Sequence, residues 1–380
     1  MSKKQSKQNI ASPEVSVAQT ETLSSRNSGL DSLRGIFAIM VFFSHAELMK
    51  YYSGLESFLY LDIVYQSGRI GVTGFFVLSG FLITIHLLQL RDKEGAIGKK
   101  IKLFYTKRIL RIWPLYYTII LLSLYVFPHI SALHFNLPSN ITDARLQLSH
   151  YQWYYIFLLP QVPLSSHIVL PFAEPSWSIG IEELFYLVIP LIIFSTNRLQ
   201  YILIGICLLF ITWRYVSFYT SDNSIEDFCF NILIVSRYDC ISIGCLAGLF
   251  FYQKRDFLKF ITPAVFIISF IALILLTAAT PQSVFQYAHF SVLFAIIILY
   301  TAAREPKIFN NKALQFYGKI SFSLYMVHEI AIMLLLNAHD FSDYHPVLFY
   351  IVSFAFATLL AFISFKVIEE PFLKMKSKIQ

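Results

Sequence analysis

The sequence predicts an all-α, polytopic membrane protein with about ten transmembrane helices and both termini in the cytosol, and three observations predict it. Hydrophobic residues make up 56% of the 380 and charged residues only 14%, against about 25% charged in a soluble domain. A water-facing surface needs more polar groups than this chain supplies. Apolar runs of about 20 residues, the length that crosses a bilayer, recur along the chain. Positive charge is also concentrated in alternate connecting segments. The net charge of +7 therefore reads as membrane topology, with no nucleic-acid partner implied.

In chain order, Met1 to about residue 29 is polar, rich in Ser, Lys and Gln, and lacks the apolar core of a signal peptide. It reads as a disordered cytosolic tail. The predicted spans are Leu30–Met49, Ile70–Leu90, Ile112–Pro128, Ser176–Phe194, Tyr201–Phe218, Ile232–Tyr252, Leu258–Ala279, Val284–Ala302, Ile320–Leu336 and Val347–Val367. An apolar piece, Tyr151–Leu159, is too short to cross and suits the outer interface, where Trp153 would sit well. The membrane domain thus covers 30–373, with a proline-rich outer segment over 129–174 and a basic cytosolic tail over 374–380. Inner segments carry Lys3, Lys4, Lys7, Arg26, the basic run 91–111, Arg198, Lys254–Lys259, Arg304–Lys319 and Lys374–Lys378. Outer segments carry chiefly Arg69 and Arg145, and two of them are acidic (Asp222, Glu226, Asp227; Asp340, Asp343). A miscounted span would break this alternation. The four cysteines have no metal-ligand spacing, so neither a disulfide framework nor a metal site is expected.

Ionisable groups within spans cost about 2.5–3.5 kcal/mol on insertion scales, so each needs a partner, a wet cavity or a function. Arg34 and His45 stand eleven positions apart on the first span. They fall on nearly one helix face, roughly 16 Å apart along the axis. Arg34 lies near the cytosolic end and His45 towards the outer leaflet. On the fourth span Glu182 lies about two turns below the outer surface, close to the depth of His45, where a carboxylate could orient a histidine base. Arg237 and Asp239 occupy the outer part of the sixth span, and His328, preceded by Tyr325, lies near the middle of the ninth. Each signal has a structural reading too. His328 alone fits a packed core histidine, Arg237 fits an ion pair with Asp239 or Glu183, and Arg108 with Arg111 fits an ordinary basic stop. The run Gly71-Val-Thr-Gly-Phe-Phe-Val-Leu-Ser-Gly80 fits close helix packing.

Together these segments resemble the membrane acyltransferase-3 family. The resemblance is carried by Arg34 with His45, the run from Gly71 to Leu82, Lys107-Arg-Ile-Leu-Arg-Ile-Trp-Pro114, and Ser176-Trp-Ser-Ile-Gly-Ile-Glu-Glu-Leu-Phe-Tyr186. Arg237-Tyr-Asp with Gly244 and Gly248, Ser321-Phe-Ser-Leu-Tyr-Met-Val-His328 and Glu369-Glu-Pro371 complete it. It spans about Leu30 to Phe372; Gly180 and Ile181 depart from a common pattern at their positions.

The resemblance implies transfer of a short acyl group, most often acetyl, from cytosolic acyl-CoA to a hydroxyl of a surface or exported polysaccharide or lipid-linked glycan. The setting it implies is a bacterial inner membrane. It makes His45 the catalytic histidine, with Arg34 as its motif partner and Glu182 beside them. Arg108 and Arg111 become the basic pair for the CoA phosphates, with Ser79 and Gly80 also on the donor side. Trp177, Tyr186, Arg237, Tyr325 and His328 are assigned to the acceptor. Its implied partners are acyl-CoA, the glycan acceptor and the bilayer; self-association or a polysaccharide-assembly partner is left open, as is the choice between His45 acting as base or carrying the acyl group. Some members of the family carry an added esterase-like domain, and none is expected after these ten spans. A transporter or flippase is the alternative, which would move glycan without consuming acyl-CoA.

Overall fold

In the computed structural model, which describes residues 27–53, 62–133, 141–220, 231–233, 235–279, 286–338 and 346–379, the chain is almost wholly helical. The helices are α1 (Ser28–Tyr52), α2 (Asp62–Asp92), α3 (Ile97–Tyr125), α4 (Leu148–Ile156), α5 (Gln161–Ser165), α6 (Ser176–Ser195) and α7 (Leu199–Thr220). They continue as α8 (Tyr238–Gln253), α9 (Pro263–Ala279), α10 (Gln286–Arg304), α11 (Lys312–Lys319), α12 (Ser321–Leu336), α13 (Pro346–Ser364) and α14 (Glu370–Ser377). Among the described residues, eight helices are long and apolar enough to cross a membrane, and α11 with α12, bent by 77°, makes a ninth when the pair is read as one span. Helix α9 is shorter, and the residues that follow it, 280–285, lie outside the described residues. The chain is therefore a polytopic all-α membrane protein. The expected tail over 1–26, and the acidic segments holding Asp222, Glu226, Asp227, Asp340 and Asp343, also lie outside the described residues.

Several boundaries move for local reasons. Asn27, which the sequence places in the tail, caps α1 by accepting from the N–H groups of Gly29 and Leu30 at 3.1 and 3.2 Å. Helix α3 begins at Ile97, so Arg108 and Arg111 sit within a continuous helix well past its first turn rather than in an inner loop. Pro263 starts α9, where a proline loses no hydrogen bond, and residues 255–260 form a 3₁₀ turn instead of the start of the span. Arg237 breaks the sixth span, because its left-handed backbone (φ 41°) ends one helical piece before α8 begins at Tyr238. The C-terminal lysines Lys374 and Lys376 lie on α14.

Helices α1, α2, α8 and α12 pack at the centre, whereas α7, α9 and α13 present Leu208, Leu209, Ile268, Leu275 and Ile351 on the outer surface, as lipid contact requires. The α2–α8 crossing is set by glycine. A Cβ on Gly80 would meet the carbonyl oxygen of Ile241, and one on Gly244 that of Val77. The backbones are thus in contact, and the structure assigns Gly80 to this crossing.

The outer segment is held to the bundle by backbone acceptors. The hydroxyls of Tyr116 and Tyr117 on α3 donate to the carbonyls of Tyr155 and Ile156 at 2.8 and 2.9 Å. Thr142–Asp143 pairs in parallel with Ile168–Val169. Gly180, one of the two positions that depart from the family pattern, lets α6 pass close to Leu158 and Gln161. As expected of an interfacial piece, α4 exposes Trp153.

The deepest ion pair was not anticipated. Arg214 on α7 grips Asp239 at 2.9 and 3.1 Å, with both side chains fully buried. Asp239 is therefore taken by Arg214, and the pairing of Arg237 with Asp239 expected from sequence is corrected. Removing one partner from a buried pair strands the other charge, at about 3–5 kcal/mol. Arg214→Met should lower the melting temperature of the detergent-solubilised protein steeply, and Arg214→Met with Asp239→Leu should recover most of the loss. Equal melting temperatures for the single and double variants would contradict this account.

Candidate functional site

Two cavities open from opposite ends of the bundle. The inner one, about 880 Å³, lies among the N-terminal part of α1, the C-terminal half of α2, the basic half of α3, and α6, α12 and α14. Arg34, Lys107, Arg108, Arg111 and Lys376 line it, with Glu182 as its one acidic lining residue. Five cations brought together in a low-dielectric setting repel one another unless an anion joins them. Arg34 is partly offset by Asp31 at 2.7 Å. Arg108 lies 4.9 Å over the ring of Tyr186 and 5.7 Å over that of Phe104, which fixes its direction.

The outer cavity, about 610 Å³, is lined by His45, Tyr65, Arg69, Glu174, Trp177, Arg237 and Tyr287 among others, with Leu164, Ser165, His167 and Val169 of the outer segment as one wall. Arg237 lies 3.9 Å over the ring of Tyr287 and 5.3 Å over that of Trp177, and donates to the carbonyl of Arg69 at 3.0 Å. Cations held over aromatic faces give both flat apolar surface and hydrogen-bond donors, a lining suited to a polyhydroxylated ring.

His45 sits on the wall of the outer cavity, and its partners differ from expectation. Its Nδ1 is 2.7 Å from Nε2 of His328 and 3.5 Å from Oε1 of Glu329. Nδ1 of His328 is 3.2 Å from the carbonyl oxygen of Leu324. A carbonyl only accepts, so Nδ1 of His328 carries the proton and its Nε2 is bare in the neutral ring. Nδ1 of His45 must then donate to it. Nε2 of His45 is left with a free lone pair.

Glu182 is not the orienting group of His45. Although its depth on α6 matches, its carboxylate turns to the inner cavity, where it accepts from Ser79 Oγ at 2.8 Å and Tyr186 Oη at 2.6 Å. Tyr186 accordingly belongs to the inner wall, not to the acceptor side. His328 lines neither cavity and stands behind His45. Glu183 accepts from Trp113 Nε1 at 3.0 Å and is no partner of Arg237 in this arrangement. Ser79, Arg34, Arg108 and Arg111 line the inner cavity, Trp177 and Arg237 the outer one, and Tyr325 both.

The sequence signals for Glu329, Arg214 and Lys376 were present but unused. The first two are ionisable residues inside apolar runs, which marks a functional or structural site by default. Glu174 had no such mark; the fold alone brings its backbone N–H onto the carboxyl of Glu329. Cys207, Cys240 and Cys245 are free and buried, and Cys229 lies outside the described residues. His45, His328 and Glu329 offer ligand atoms within 4.8 Å of one another. The direct imidazole–imidazole hydrogen bond occupies the space a shared ion would need.

Comparison with known sequences decides the family. The acyltransferase domain profile matches residues 27–366. The chain belongs to the acyltransferase-3 family. It is 26% identical over 370 residues to O-acetyltransferase OatA of Staphylococcus aureus strain COL, covering 91% of this chain and 57% of that protein. It is likewise 26% identical over 372 residues to a putative O-acetyltransferase of Staphylococcus aureus strain MSSA476, with the same coverage. This acyltransferase-3 chain therefore spans 57% of the length of the curated relatives it matches.

Burial pushes the carboxyl of Glu174, in the outer segment, up to about 7 from its ordinary 4.5. A carboxyl raised in this way keeps its proton longer in the folded chain than in the unfolded one. Its contribution to stability is thus full below the ordinary value, falls as pH rises from 4.5 to about 7, and is level above that. Glu174→Gln should remove this slope, so that its advantage in melting temperature over the unmodified protein widens between pH 5 and pH 8. Parallel pH profiles for the two proteins would exclude a raised Glu174.

Proposed function

We propose that this protein transfers an acetyl group from cytosolic acetyl-CoA to a hydroxyl of a surface or exported glycan, in a bacterial inner membrane. The observation that carries the reading is the placement of His45: it faces the outer cavity, next to the innermost reach of a cationic cavity that opens at the other end of the same bundle. The inner cavity's volume lies within the range of cofactor sites, about 300–1,000 Å³, and guanidinium forks suit phosphate groups. Arg108, Arg111 and Arg34 hold the nucleotide phosphates in this reading, with Lys107 and Lys376 adding positive charge at the mouth. The thioester end extends towards His45. The names of the relatives, both O-acetyltransferases, favour acetyl as the group and oxygen as the acceptor atom.

In the transfer step, Nε2 of His45 takes the proton of the acceptor hydroxyl while that oxygen attacks the thioester carbonyl carbon. The C–S bond then breaks, and the CoA sulfur leaves with the proton returned by His45, so acetyl ester and CoA–SH are the products. His328 keeps the imidazole in the tautomer that can do this, and the carboxyl of Glu329 lies 3.5 Å from Nδ1 of the positive ring formed in between. The acceptor lies against Trp177, Arg237 and Tyr287, whose aromatic faces favour a sugar ring.

His45→Ala should reduce release of CoA in the presence of glycan acceptor by about 10²-fold or more, with binding of free CoA retained. Turnover at the native rate would remove His45 from the reaction. Replacing both Arg108 and Arg111 by Ala should instead weaken binding of free CoA by about 10–100-fold, the worth of one or two hydrogen bonds to charged groups; an unchanged affinity would take the phosphates elsewhere. His328→Ala should lower kcat by about 10–100-fold, as loss of an orienting partner does, at constant KM for acetyl-CoA.

A further inference from the structure

The two cavities share only two lining residues, Val72 on α2 and Tyr325 on α12. Both side chains are buried, so the wall between the cavities is one side chain thick and nearly shut. His45 lines the outer cavity alone, and the cationic residues line the inner cavity alone, apart from Arg69, Arg214 and Arg237 at the outer end. Val72 and Tyr325 thus stand where the two cavities adjoin.

The helices beside Val72 are closely packed. Helix α2 lies against α1 through glycines. A Cβ on Gly68 would stand 2.6 Å from Ser44 Oγ, and one on Gly71 would stand 2.9 Å from the carbonyl oxygen of Phe37. These glycines flank Val72 on one helix as Ser44 flanks His45 on the other, so α1 and α2 are in close contact beside Val72. Packed helices of this kind do not deform continuously. Tyr325 is held as firmly. Its hydroxyl shares a 2.8 Å hydrogen bond with Ser178 Oγ, and its ring packs edge-on to Phe75 with centroids 6.0 Å apart. Tyr325 and His328 are three residues apart on α12, so one helical face carries both the barrier and the partner of His45. With α1 and α2 in close contact and Tyr325 tied to Ser178, the volume of the two side chains is the variable at this boundary.

We propose that Val72 and Tyr325 form an acyl-length threshold between the donor cavity and His45, admitting a two-carbon acyl group and rejecting longer ones. The proposal rests on the acyl-CoA reading above and adds to it a pair of specificity-determining residues. One methylene in a tight apolar site changes discrimination by about 10–200-fold. Removing two methyl groups at Val72 should therefore admit butyryl, and adding one methylene should obstruct even acetyl.

The test uses the full chain in detergent or membranes, with acetyl-CoA and butyryl-CoA as donors, CoA release in the presence of glycan acceptor as readout, and binding of free CoA as the control for folding. Val72→Ala should raise the ratio of butyryl to acetyl kcat/KM by about tenfold or more. Val72→Leu should lower acetyl transfer by a similar factor, with CoA affinity unchanged in both. Tyr325→Phe, which keeps the ring but loses the hydrogen bond to Ser178, should relax the ratio in the same direction as Val72→Ala. If the unmodified protein discriminates acetyl from butyryl and all three variants keep its ratio, the threshold is overturned while the acyltransferase reading stands. If the unmodified protein consumes neither donor, both fall together.

Discussion

A polar group carried into a bilayer has no water to fall back on, and the whole arrangement of this bundle follows from that constraint. Several ionisable side chains on the central helices are locked to another side chain or line one of two cavities. Arg214 and Asp239 satisfy each other and tie α7 to α8. Glu182 is held by Ser79 and Tyr186, and His328 by the carbonyl of Leu324 and by His45. Arg34, Lys107, Arg108, Arg111 and Lys376 gather around the inner cavity, where self-repulsion makes an anionic ligand the natural complement.

The histidine pair shows how such satisfaction becomes chemistry. The i−4 carbonyl of one helix fixes the proton on His328, His328 fixes the proton on His45, and the lone pair left over is the one that faces the cavity. Nothing in this chain needs a charged form, and it is built from groups within two helices. The bend of 77° between α11 and α12 sets the direction of the helix carrying His328, and the glycine contacts of α2 hold α1 from the other side. The tautomer of His45 is thus a consequence of helix packing.

The separation of the cavities has an energetic logic as well. A polyanionic nucleotide is costly to bring across an apolar layer, whereas its acyl group is small and nearly neutral. Under the proposed function, a bundle holding the nucleotide at one end and a base towards the other would never have to move the charged part.

The sequence by itself determined the membrane class and most of the spans, though not the early start of α3 at Ile97, and it singled out Arg34, His45, Arg108 and Arg111 as candidates, because hydropathy, charge alternation and motif order are properties of the linear chain. It placed Arg34 and His45 on one face at opposite depths, since helical rise and rotation are fixed per residue. Helical depth could not show which way Glu182 points, and only packing turned it towards Ser79 and away from His45. Packing also chose Glu329 and His328 as the partners of His45, gave Asp239 to Arg214, and assigned Gly80 to a helix crossing. Each of these is a relation between helices far apart in sequence, and pairing across such distances is written in how side chains fill shared space rather than in the periodicity of any one segment.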